Sequence, residues 1–543
     1  MVLVAIIIMT LTTSSYLLLM RNEHLAARYQ GNHLQTQQLV DSGIEYLNVF
    51  LAQSTTEIGQ LGGLLNNPDS LRDVLVVDDA LANYRGRFSI VAPDMSQGYY
   101  LNLRYGLENE SAKLNLNSLL IKDTSASSED ESFESRDRLL AIPGMNDAVA
   151  DAILDWLDED DSQRTDGAES PYYQSLTPPY QARNGPFARL DELLMIQGVT
   201  PELLYGADVN RNYLADADEL PRGELEQLDN SNGQLNRGWS AYLTVHSLEK
   251  NATPDGEPKI DLNADILQTL HSSLQQALGV AEANFIIAYR QYGPSGGTVG
   301  GDGDGAGAEG GSTKSGNSIS GNSGIGSASS GSTEDGSTDA QNVELDFEKE
   351  AQTAIDSLLS LVDARVTIEA TDGNPAQSIT SPWPDTAENY RNAFANLLDL
   401  VTIDPSKRVA GRININQASR PVLVTIPGMT ETLADQILAN RDPAVDLVSG
   451  DQRHPTWLIA EGLTTLEELK PLLAYLTTGG DVYSGQVVGY FDAGTARARA
   501  EVLLDRSDTA IRLIGWRDIS KLGPGFSRTV LSNTDQDVAK ETE

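Results

Sequence analysis

Cysteine is absent from the 543 residues, which excludes disulfides, thiolate metal centres and a cysteine nucleophile. Histidine is scarce: five scattered residues leave little material for a histidine-based metal site. Cations are outnumbered, 38 Lys and Arg against 78 Asp and Glu, for a formal charge of -40. Such a field repels nucleic acid and anionic membrane surfaces and favours cations, calcium above all. No Walker or dinucleotide motif stands at a strand-to-helix junction. The one formal G-x-S-x-G match, Gly293 to Gly297, lies in a Gly/Ser-rich tract with no strand leading into it, where chance produces it. Paired carboxylates without a nucleophile, a His base or an aromatic cleft do not make a hydrolase. The expectation is that the chain is not an enzyme.

Long hydrophobic runs are also missing, with one exception. Met1 to Met20 carries no charge, Gly or Pro. Twenty helical residues at about 1.5 Å rise span roughly 30 Å, the thickness of a bilayer core. A cleaved signal would show a basic start and a small-residue cleavage site, and neither is present. The next cations, Arg21 and Arg28, follow the run, and by the positive-inside rule they would keep the rest of the chain cytoplasmic. A basic leader before Met1 reverses that, and this is the expectation adopted. From Tyr29 to Gln53 the spacing of Leu34, Val40, Ile44, Leu47 and Leu51 predicts a stalk helix continuing the span. Strand-like runs follow at Arg87–Ala92 and Tyr99–Tyr105, and late in the chain at Gln486–Phe491, Ala498–Leu504 and Ala510–Ile519.

The middle of the chain repeats. KLNLNSLL from Lys113, KIDLNADIL from Lys259 and RININQASRPVL from Arg412 each set a cation before an Asn/Asp-x-Asn. The second Asn of each (Asn117, Asn263, Asn416) is placed to cap a helix. Ile142-Pro143-Gly144-Met145 and Ile426-Pro427-Gly428-Met429 then sit between two helical patterns, and Leu278-Gly279-Val280 is the degraded counterpart. Three divergent helix-turn-helix units result. Tyr242–Ser247 and Tyr475–Ser484 read as strands after the first and third, which suggests insertions between strands of one sheet. The hairpins resemble helix-hairpin-helix units that grip DNA phosphates. However, Asn146 or Thr430 replaces the second glycine and Asp147, Asp151, Asp155 and Asp158 crowd the first copy. An envelope-anchored DNA receptor is the alternative reading, and no nucleic acid partner is expected.

Two acidic clusters are candidate metal sites. Asp155, Asp158, Asp160 and Asp161 end a helix, with Glu169 shortly after. Acid opposes the dipole at a helix C-terminus, and a calcium ion, which takes six to eight oxygens, would compensate. The second is Asp208, Asn210, Asn212, Asp216 and Glu219, matching positions 1, 3, 5, 9 and 12 of an EF-hand loop. Tyr213 occupies the glycine position, so this is either a lone calcium loop or an acidic turn.

The ordered series Asp155-Trp156-x-Asp158-x-Asp160, Gly167-Ala168-Glu169, Tyr172-Tyr173, Asn184, Asp191-Glu192-Leu193 and Gly198-Val199-Thr200 resembles the K-type minor pseudopilins of type II secretion systems. The resemblance implies an α+β fold, a pilin-like antiparallel sheet on a transmembrane and stalk helix, interrupted by inserted helical domains. It implies calcium near Asp155–Glu169, I- and J-type minor pseudopilins and the major pseudopilin as partners, and anchoring in the inner membrane with the bulk in the periplasm. The family resembled lacks the glutamate that other pseudopilins carry near the N-terminus; no Glu precedes Glu23 here, which suits a subunit with nothing above it to join. The expected order is a transmembrane helix 1–20 and a stalk with first strands 21–112. An inserted helical domain 113–206, an acidic loop and strand 207–258 and a second repeat 259–292 come next. They are followed by a Gly/Ser insert 293–342, a helix and linker 343–410, a third repeat 411–478, C-terminal strands 479–525 and a disordered tail 526–543.

Overall fold

The computed structural model describes residues 2–94, 103–120, 131–214, 216, 219, 237–295, 340–343, 345–368, 376–445, 448–494 and 497–532. The Gly/Ser tract 296–339 and the last residues 533–543 lie outside them, as does most of the strand expected at Tyr99–Tyr105. Helix α1 runs unbroken over Val2–Leu51. Among the described residues no helix is long and apolar enough to cross a membrane. The side chains of Met1, Val2 and Ala5 lie outside those residues. The run described in full, 6–20, spans about 22 Å as helix, short of a bilayer core.

One seven-stranded antiparallel sheet holds α1: β1 (Val74–Val77), β2 (Gly86–Pro93), β3 (Leu103–Arg104), β4 (Glu108–Asn109), β5 (Val482–Phe491), β6 (Arg497–Asp505) and β7 (Arg512–Asp518). The order is β1-β2-β5-β6-β7, with β3 on β2 and β4 on β5. Alternation in β5 and β6 turns Val487, Ala500 and Val502 toward α1, where Val40, Ile44, Leu47 and Leu51 complete the core. Two glycines set the closeness of that contact. A Cβ on Gly489 would lie 2.5 Å from the Thr36 carbonyl oxygen, and one on Gly43 2.5 Å from Val487 Cγ1. Gly489→Ala is therefore expected to pry α1 from the sheet and destabilise the protein by about 2 kcal/mol, measurable by denaturant unfolding. A midpoint unchanged from the parent chain would contradict this packing.

The chain divides into two compact units, one of 1–259, 386–399 and 405–543, the other of 260–385 and 400–404. The tail is partly ordered, contrary to expectation. Arg528–Leu531 is helical, and Phe526 and Leu531 are buried against Val91, Val488 and Tyr490 because an apolar face of the sheet is open there.

The three repeats share a closure that reshapes their expected limits. Tyr242–Ser247 and Tyr475–Ser484 do not both run as strands of the main sheet. Instead Leu243–Thr244 pairs in parallel with Leu114–Asn115, and Leu476–Thr477 with Ile413–Asn414. Val401–Thr402 pairs in the same way with Ile260–Asp261. Each repeat thus ends beside its own first strand. Each closing threonine Oγ1 (Thr244, Thr402, Thr477) accepts from the amide two residues on, at 3.1–3.2 Å. Segments 345–368, 376–385 and 400–404 accordingly belong to the same compact unit as the second repeat, while 386–399 belong to the other unit. The capping expectation for the second Asn fails. The first residue of each pair does the capping, accepting from the second's amide (Asn115, Asp261, Asn414; 2.9–3.0 Å). The second side chain reaches instead across the repeat to the Phe187, Ile355 or Gln452 carbonyl. A two-residue spacing in a tight turn suits the nearer side chain.

The candidate acidic metal site

Helix α2 (Glu131–Leu140) and helix α3 (Asp147–Leu157) flank the Ile142–Met145 turn. Asn146 caps α3 through Val149 N, and Gly144 takes the left-handed conformation the turn needs, at φ 76°. Asp151, Asp155 and Asp158 fall on successive turns of α3 and its end, so they stack on one face. Arg136 holds Asp151 at 2.7 Å and Asp147 at 2.6 Å. The third repeat reproduces this with Arg420, Asp435 and Glu431. Both arginines stand six residues before the shared Ile-Pro-Gly-Met, a signal present in the sequence that motif spacing alone passed over.

Asp155, Asp158 and Glu169 converge, each offering a carboxylate oxygen within 4.8 Å of the others. Asp155 is fully buried and Glu169 is 2% exposed. Arg164 Nη1 donates to Asp155 at 2.7 Å and to Asp158 at 2.5 Å. Neither oxygen of Glu169 has a hydrogen-bond partner, and Asp158 Oδ1 is equally bare. Glu169 stands at the N-cap of the short helix Ser170–Gln174 yet does not cap it. Burial, then the charges of Asp155 and Asp158, push its carboxyl up to about 7. Burial also raises Asp155 and Asp158, opposed by Arg164.

Gly167 admits the cluster, since a Cβ there would sit 2.0 Å from Asp155 Oδ2. Behind it, Trp156 meets Tyr173 edge-on at 5.1 Å and Tyr173 stacks on Tyr180. Asp160 and Asp161 stay at the exposed rim: Asp160 accepts from Ser162 N, and Asp161 from Asn184 Nδ2 at 3.0 Å. The sequence therefore names the neighbourhood, while folding brings three of its five acids together.

The second candidate loop is a self-bonded turn. Asp208 accepts from the amides of Asn212 and Tyr213, and both Asn210 and Asn212 donate to Asp216 Oδ2 at 2.7 and 2.8 Å. Glu219 accepts from Asn210 N and Asp216 N. Tyr213 takes φ 63°, the left-handed position an EF-hand gives to glycine, and is half-buried. These carboxylates are occupied by amides, and among the described residues only the Asp155 group converges as a metal cluster.

Residues 112–206, which contain this group, match the family model of type II secretion system protein K. A type II secretion system protein K of Escherichia coli (strain K12) is 33% identical over 106 residues, 19% of this chain and 32% of that relative. The matched stretch thus spans about a third of the relative. A chain of the crystal structure of the GspK-GspI-GspJ complex from the enterotoxigenic Escherichia coli type 2 secretion system aligns over 92% of this chain and 98% of its own. The identity is 10% and the TM-score 0.30, too low to support any structural argument.

Proposed function

We propose, from a chain that carries the protein K segment at 112–206, that this is a non-enzymatic minor pseudopilin of a type II secretion system. The single observation that carries the reading is the coincidence of that segment with the buried, unsatisfied carboxylate group. Helix α1 would anchor the chain in the inner membrane through its apolar start, where Leu3, Ile6, Ile7, Ile8, Leu17 and Leu18 are all more than half exposed. The remainder would stand in the periplasm. Its mechanism is assembly: the stalk packs among neighbouring helices.

Asp155, Asp158 and Glu169 would hold calcium, a hard cation that takes carboxylate oxygens and would replace Arg164 as their neutralising charge. At a hundred times its dissociation constant such an ion adds about 2.7 kcal/mol. Chelator-stripped protein should therefore melt several degrees higher once calcium is restored. D158N together with E169Q should abolish that rise. An equal rise in the variant would place calcium elsewhere.

I- and J-type minor pseudopilins and the major pseudopilin are the partners of this reading. Mixing the chain with I- and J-type subunits should give a stoichiometric ternary complex by light scattering. Separate elution at micromolar concentration would overturn the assembly role.

A further inference from the structure

Arg164 reaches back over the end of α3 into the acidic group. Its Nη1 alone touches both aspartates, Asp155 at 2.7 Å and Asp158 at 2.5 Å, and its backbone N–H points at Asp155, 3.3 Å from either oxygen. One nitrogen between two carboxylates holds the place that a bridging cation would take. The third acid is left over: neither oxygen of Glu169 has a hydrogen-bond partner, and neither does Asp158 Oδ1. One positive charge therefore stands against three carboxyl groups.

The arginine is not locked in. Its side chain is 26% exposed, and its ion pairs among the described residues are the two with Asp155 and Asp158. Exposed Asp160 lies within its field: the Ser162 amide and hydroxyl, and then the Arg164 charge, hold that carboxyl below its ordinary value. A guanidinium that leaves the group has an anion to move to at the rim.

We infer, on the calcium reading above, that Arg164 is a tethered competitor for the ion and restricts the site to cations of more than one charge. A sodium ion that displaces the guanidinium exchanges one positive charge for one and must also shed water. Calcium brings one charge more and reaches Glu169, which the arginine does not. The competition lowers the apparent affinity for calcium by the fraction of chains in which the arginine has swung out.

The test is isothermal titration of calcium chloride into the full-length chain in detergent after chelator treatment, with R164Q and R164K beside the parent. R164Q should bind calcium about tenfold more tightly, because nothing has to be displaced. R164K, which keeps a charge in that place, should stay close to the parent. Exchanging choline chloride for sodium chloride at constant ionic strength should leave the parent unchanged and weaken binding by R164Q severalfold. Binding by R164Q equal to or weaker than the parent's would overturn the proposal and make Arg164 a support of the loop. Equal tightening in R164K would overturn it as well. So would weakening of the parent itself by sodium, a measurement that stands even where R164Q does not fold. Binding that appears in R164Q alone would support it. Absence of binding in parent and R164Q alike removes the calcium reading and the proposal together, whereas a parent that binds without a gain in R164Q removes the proposal alone.

Discussion

Lys113→Met is expected to cost 3–5 kcal/mol in rough terms, the largest effect of any single substitution considered. Its ammonium, 7% exposed, sits 2.8 Å from Glu108 and 2.9 Å from Glu110, both also buried. Burial alone would raise the Glu108 carboxyl. The charges of Lys113 and Arg237 reverse that and hold it below its ordinary value. Methionine would fill the space and leave two carboxylates uncompensated, which is why removing one partner costs more than the pair contributes. The two acids are not equal. Glu108 would keep Arg237 at 3.5 Å, whereas the ion pair of Glu110 among the described residues is with Lys113. Glu110→Gln added to Lys113→Met should then recover more than half of the loss: of Thr244 and Ser484, which donate to separate oxygens of Glu110, one keeps its acceptor and the other can turn to accept from the new amide. Denaturant unfolding of the four chains of this cycle gives the coupling. Additive losses would mean the three groups do not act as one cluster.

Chelated protein should lose stability as pH rises from about 4.5 to 7, by roughly 3 kcal/mol at 1.36 kcal/mol per pH unit. The sign follows from Glu169, whose folded carboxyl is raised from 4.5 to about 7. Below 4.5 both states hold the proton and nothing is lost. Between the two values the unfolded chain ionises freely while the folded one keeps its proton, so unfolding is favoured as pH rises. Above 7 the loss levels off. E169Q should flatten this slope, and saturating calcium should flatten it as well, by supplying the charge that lets Glu169 ionise in place. A slope that survives E169Q would assign it to other groups.

Much of this was legible from residue order. The spacing of Val40, Ile44, Leu47 and Leu51 identified the face of α1 that packs on the sheet, while Leu34, expected on the same face, lies beyond the sheet's contact and is exposed. The runs at 87–92, 486–491, 498–504 and 510–519 fall within or overlap β2, β5, β6 and β7. What the sequence hid is long-range. Leu243–Thr244 looked like a strand of the main sheet because alternation names a strand but not its partner. Val401–Thr402 was passed over because two residues carry no periodicity. In the acidic group, a tally of charges could not separate Glu169, which loses its solvent, and Asp158, which is half-buried, from Asp160 and Asp161, which stay exposed. Arg164, the cation that bridges Asp155 and Asp158, has no motif of its own.

The pairing of β4 with β5 sets Asn109 opposite Tyr483, so 373 residues leave the sheet and return to the same spot. One level down, Lys250 lies opposite Arg408, and the 157 residues between them depart and come back through an equally narrow gate. To the host at each gate, the excursion has the dimensions of a hairpin turn. Lengthening a loop whose ends are already fastened adds only about 0.6 kcal/mol per doubling. The fold is therefore modular in the manner of nested brackets, and material can be spliced in at an inner bracket without moving the gate that closes it. Differences in length between such chains should accumulate inside the brackets and leave the sheet and its stalk alone.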